Sequence, residues 1–184
     1  MARKKRIWFA GAKYHVTSRG IRKSALFFDE SDCLKYMDLL RTTMVKLPFV
    51  LHSYCLMSNH IHLQIETLQH PIGLIMKQLH VPYAKFFNEK YGFTGHVFEG
   101  RFGSELLDTI GYELEVNRYI HLNPVRAKLV LNPADYPWSS YPQYVKTPSA
   151  TESIVHSETI LSCFPEPKIE NYQKFLKSKV SISS

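Results

Sequence analysis

The chain has 184 residues, with 23 Lys and Arg against 16 Asp and Glu and a formal net charge of +7. Its 45% hydrophobic and 13% aromatic content can bury a core, which excludes disorder throughout, and its length fits one domain with a tail. Three cysteines, Cys33, Cys55 and Cys163, fall at none of the short spacings of zinc ribbons or redox pairs, which argues against a disulfide framework and for a reducing, cytoplasmic setting.

In chain order, Arg3-Lys4-Lys5-Arg6 form a dense basic arm, and the apolar Ile7-Trp8-Phe9-Ala10 is cut short by Gly11 and Lys13, so this start is not read as an export signal. No apolar run approaches the roughly 20 residues a membrane helix needs. Trp8 to Ser18 reads as a strand, with Tyr14, Val16 and Ser18 on one side and His15 and Thr17 on the other; His15 is read as packed, without a role. A basic loop follows, Arg19-Gly20-Ile21-Arg22-Lys23. Acceptors at Asp29 to Asp32, then Leu34, Met37, Leu40 and Met44, predict a helix from about Ser31 to Val45, ended by Pro48. Phe49 to Met57 is apolar enough for a buried strand, and Ser58-Asn59 turns it into the alternating His60 to Glu66, making a hairpin.

Pro71 opens a second helical stretch with Ile72, Ile75, Met76 and Leu79 on one face, which Pro82 is expected to kink or restart before Tyr83 to Tyr91. His96 to Leu107 reads as a strand with a bulge or an exposed hairpin. Asp108 or Thr109 can cap a last helix through Tyr112, Val116 and Tyr119, which Pro124 is expected to end. The order β-α-β-β-α-β-α predicts an α+β fold, an antiparallel sheet with helices on one face in the ferredoxin-like plan. This domain is expected over 1–144, followed by an irregular C-terminal appendage over 145–184 whose one regular piece is a short helix near Ile169 to Leu176.

Strand alternation puts His60, His62 and Gln64 on one face and the aliphatic Ile61, Leu63 and Ile65 on the other. The two imidazoles are aimed together, as a divalent metal or a phosphate requires; taken alone, the pair also fits a half-exposed polar strand. On the last helix Tyr119 and Asn123 stand four residues apart on one face, with Asn123 expected at the helix end. Two neutral imidazoles and an amide oxygen make a three-ligand site with open positions, suited to Mg or Mn bridging to phosphate oxygens. A tyrosine beside it would be a nucleophile, although periodicity does not choose Tyr119 over Tyr112.

Several strings then appear in a telling order: His15-Val16-Thr17-Ser18-Arg19-Gly20, Tyr54-Cys55-Leu56-Met57-Ser58-Asn59-His60-Ile61-His62-Leu63, Gly95-His96-Val97-Phe98-Glu99-Gly100-Arg101-Phe102, Arg118-Tyr119-Ile120-His121-Leu122-Asn123-Pro124-Val125-Arg126-Ala127 and Pro137-Trp138-Ser139-Ser140-Tyr141. Together they closely resemble the REP-associated tyrosine transposases, a branch of the single-tyrosine HUH transposases, over roughly residues 7 to 144. The resemblance implies that His60 and His62 are metal ligands, that Asn123 is the third, and that Tyr119 attacks a scissile phosphate in single-stranded DNA to leave a 5′-phosphotyrosine bond and a 3′-hydroxyl. It implies a DNA partner with short imperfect hairpins and leaves monomer and homodimer both open. Candidate DNA contacts are Arg3, Lys4, Lys5 and Arg6 in the arm, Arg19, Arg22 and Lys23 in the loop, and Arg101 between Phe98 and Phe102.

Two other readings match parts of the sequence. A two-histidine phosphoesterase needs two His-x-Thr/Ser motifs, and only His15-Val16-Thr17 matches. A hairpin-binding protein that does not cut would keep the basic residues without using His60, His62 and Tyr119.

Overall fold

Alternating residues pair into one antiparallel sheet in a computed structural model that describes residues 7–146 and 153–178. The arm residues Arg3, Lys4, Lys5 and Arg6 lie outside the described residues. Four strands, β1 (Lys13–Arg19), β2 (Phe49–Met57), β3 (His60–Thr67) and β4 (Gly103–Leu106), run in the order β2-β3-β1-β4. That order and the β-α-β-β-α-β connectivity are the ferredoxin-like plan. Helix α1 (Glu30–Lys46) begins in a capping box, where the Asp29 side chain accepts from the Asp32 backbone and Asp32 reaches back.

Register decides which side chains meet. Leu51, Tyr54 and Leu56 of β2 stand opposite Ile65, Leu63 and Ile61 of β3, and Tyr14 and Val16 of β1 stand opposite Ile65 and Leu63. This apolar face packs on α1 and α2 (Ile72–Tyr91) through Tyr36, Leu40, Ile75, Leu79 and Tyr83, all fully buried. The other face carries His60, His62 and Gln64 with Met57, Cys55 and Ser53 opposite them on β2, and Arg19, Thr17 and His15 opposite them on β1. Helix α3 (Ile110–Arg126) covers it, packing Val116 and Ile120 on Cys55 and Met57. Helices α1 and α2 thus share one face, and α3 lies across the sheet from them.

Three local expectations are corrected. Pro82 lies inside α2, which continues to Tyr91. The missing N–H costs roughly 3 kcal/mol, whereas Ile72, Ile75, Met76, Leu79 and Phe87 each gain roughly 1.5–3 kcal/mol by burial. Residues 96–107 supply only the four residues of β4 to the sheet; upstream, Val97 accepts from the Ile21 N–H and Phe98 stacks flat on His80 at 4.1 Å, which draws that segment away to α2. Helix α3 runs through Pro124 to Arg126, so Asn123 lies in its last turn rather than as its final residue. It stops one turn later than expected, at Lys128 in the left-handed region (φ 59), where the Lys128 and Leu129 N–H groups close on the Val125 and Pro124 carbonyls.

Towards the C-terminus the short α4 (Tyr141–Val145), α5 (Glu158–Leu161) and α6 (Lys168–Lys177) place Tyr144, Ile160, Tyr172 and Leu176 in the main core. The helix read near Ile169 to Leu176 is α6.

Candidate active site

The histidine face opens to solvent at the mouth of β1, β3 and α3, in a cleft of about 710 Å³. His15, His60, His62 and Tyr119 line it together with Arg19 and Arg101. Strand pairing sets His60 and His62 side by side, their rings 5.0 Å apart and nearly perpendicular. Helix α3 brings Asn123 over both: its Oδ1 lies 3.3 Å from His60 Nε2 and its Nδ2 lies 3.2 Å from His62 Nε2. Buried Asn123, in the last turn of α3, is therefore engaged by both rings.

One helical turn before Asn123, Tyr119 meets His62 edge-on at 5.2 Å and His15 at 5.9 Å between ring centres. It keeps 37% of its surface exposed, which leaves it approachable from the cleft. The Arg126 guanidinium sits over its ring at 5.2 Å. Tyr112 is turned elsewhere: its hydroxyl donates to Glu105 at 2.8 Å. Thus the fold separates the two tyrosines that periodicity could not, and brings Tyr119 to the histidines.

Burial lowers the basicity of His60, and burial with positive neighbours pushes His62 down to about 3. Both rings are neutral at pH 7, the form that binds a metal ion. The donor set also fits a cation. Asn59 Nδ2 donates to the Lys23 carbonyl at 3.2 Å, leaving its Oδ1 to accept from His60 Nδ1–H at 2.7 Å. The His60 Nε2 lone pair therefore faces the Asn123 oxygen, an arrangement of two acceptors that a cation between them would relieve. Separations of 3.2–3.3 Å between these groups are close to the ~3 Å between neighbouring ligands around an ion with ~2.1 Å bonds. Among the described residues no cluster of three His, Cys, Asp or Glu is placed to hold a metal ion, so a site here needs the Asn123 amide.

Of the basic candidates, Arg19 and Arg101 line the cleft. Arg22 and Lys23 are exposed on the turn Ile21–Lys23 beside it, both in the left-handed region (φ 52 and 63). Sequence reasoning gave no part to Asn59, Glu105, Arg126 or His15. For His15 the signal was its strand face, which only the β1–β3 register turns into a contact with His62.

A family model described as "Transposase IS200 like" matches residues 9–123. The chain belongs to the IS200-like transposase family, and transposase is its functional class. Its fold is similar to that of a solved REP-associated tyrosine transposase bound to a REP hairpin, with a TM-score of 0.66, 18% identity, and 79% of this chain and 86% of that one covered. A solved transposase from Deinococcus radiodurans r1 aligns with a TM-score of 0.45 and 17% identity over 70% of this chain and 92% of that one. No curated protein matches the sequence significantly. No helix among the described residues is long and apolar enough to cross a membrane.

Proposed function

We propose that the chain is a REP-associated tyrosine transposase that binds hairpin-bearing single-stranded DNA and cuts and rejoins it through Tyr119. In cleavage the Tyr119 hydroxyl oxygen bonds to the scissile phosphorus and gives up its proton. The bond from phosphorus to the 3′ oxygen breaks, and that oxygen leaves as a hydroxyl after gaining a proton. The 5′ end stays on the tyrosine. Attack by another 3′-hydroxyl reverses these changes, and because the phosphodiester bond energy is kept in the link, joining needs no nucleotide cofactor.

His60, His62 and Asn123 would hold a divalent ion, Mg or Mn, which supplies Lewis acidity at phosphate oxygens. Arg19 and Arg101 give the backbone its counter-charge in the same cleft. The observation that carries this reading is the placement of Tyr119 edge-on to His62 in a cleft it shares with two arginines.

The test is incubation with labelled hairpin DNA bearing single-stranded flanks and Mn²⁺, followed by denaturing electrophoresis. The native chain and Tyr112→Phe are expected to form a denaturant-resistant adduct and Tyr119→Phe to form none. An adduct that survives in Tyr119→Phe overturns the nucleophile. Tight hairpin binding with no adduct from any form of the chain favours the non-cutting reading.

A further inference from the structure

His15 is buried beneath the cleft, with its Nε2 at 3.1 Å from His62 Nδ1 and the two rings near-parallel (23°), their centres 5.2 Å apart. Two ring nitrogens at that distance share one proton, and which of them carries it decides what His62 presents at Nε2, on the Asn123 side. On the far side of His15, its Nδ1 lies 3.9 Å from the Glu105 carboxylate, which Tyr112 orients by its 2.8 Å hydrogen bond. A carboxylate there favours N–H at His15 Nδ1, and neutral His15 then has an acceptor at Nε2. His62 must donate from Nδ1.

We propose that His15, oriented by Glu105, is a positioning residue that holds His62 in the tautomer whose Nε2 lone pair points at Asn123, and so prepares His62 as a ligand. It rests on the metal reading given under the proposed function. Asn59 does the same for His60 through the 2.7 Å contact at Nδ1, so each imidazole is locked from behind by a different group. Ligating histidines are commonly set in this way by a partner on the other ring nitrogen, and losing that partner costs about 10–100-fold in metal affinity. With both rings locked, either orientation of the Asn123 amide leaves its oxygen facing one lone pair. The protein alone cannot satisfy all three groups, but a cation can.

The experiment titrates Mn²⁺ into the full chain, reading unbound Mn²⁺ by electron paramagnetic resonance, and records the imidazole ¹⁵N shifts of the metal-free protein. The expected result is His62 protonated at Nδ1 in the native chain, with about 10–100-fold weaker Mn²⁺ binding in His15→Leu. His15→Gln, which keeps an acceptor near the place of Nε2, restores most of the affinity; a purely packing role would not distinguish Gln from Leu in this way. Loss of binding in His62→Ala with undiminished binding in His15→Leu overturns the proposal alone. Undiminished binding in His62→Ala removes the metal reading and the proposal with it. A native His62 protonated at Nε2 overturns the proposal without any variant, should His15→Leu fail to fold.

Discussion

Asn123 is the residue on which the candidate site turns, because it faces two imidazole nitrogens with one donor group and one acceptor. An amide oxygen is a neutral ligand, and hard cations bind more tightly as ligand charge rises. Asn123→Asp is therefore expected to tighten Mn²⁺ binding by about tenfold, and Asn123→Ala to weaken it by at least as much. The check is the rise in Tm on adding Mn²⁺, since an ion bound only by the folded state stabilises it in proportion to the logarithm of concentration over Kd. A larger Mn²⁺-induced rise in Asn123→Ala than in the native chain would remove Asn123 from the ligand set. Gly103 shows a different constraint at the same scale. A Cβ there would lie 2.6 Å from Thr17 Oγ1, so any larger residue at 103 would force the Thr17 hydroxyl, beside the cleft, to turn away.

At the scale of elements, the sequence was most legible where one period governed a whole segment. The hairpin from Phe49, its turn at Ser58-Asn59, and the pairing of His60 with His62 all follow from alternation, and the Thr109 cap from side-chain chemistry. Proline misled twice for one physical reason: Pro82 and Pro124 each remove a single hydrogen bond, while the helices carrying them bury faces worth several times that loss. The C-terminal stretch was opaque because its partners are remote in sequence. Tyr172 donates to Asn117 Oδ1 at 2.7 Å and meets His121 Nδ1 at 2.5 Å, both in α3, the helix that carries Tyr119. We expect Tyr172→Phe to cost roughly 1–3 kcal/mol, since it leaves buried polar groups short of a partner. Urea denaturation checks this: the midpoint should fall with the slope unchanged, in one transition. An unchanged midpoint would mean that the stretch after Val145 is a separate appendage rather than part of the cooperative unit.

For the whole molecule the question is where the excess of 23 basic over 16 acidic residues acts. A net charge spread evenly would attract any polyanion and steer none of it to Tyr119. In this fold Arg19 comes at the end of β1 and Arg101 just before the edge strand β4, and the pairing of β1 with β4 brings both to the cleft lined by His60, His62 and Tyr119. Lys46 ends α1, across the sheet from that cleft. Each phosphate neutralised by a bound cation releases counter-ions and steepens the salt dependence of binding, by about 0.9 in log–log slope on duplex and about 0.7 on single strands. Hairpin binding measured by fluorescence anisotropy across a KCl series should therefore lose about 0.7–0.9 of slope in Arg19→Ala and again in Arg101→Ala. Lys46→Ala should keep the native slope. Equal losses in all three would mean that the DNA is held by diffuse charge rather than threaded past Tyr119. A loss confined to the two arginines ties the path of the backbone to the side chains proposed to cut it.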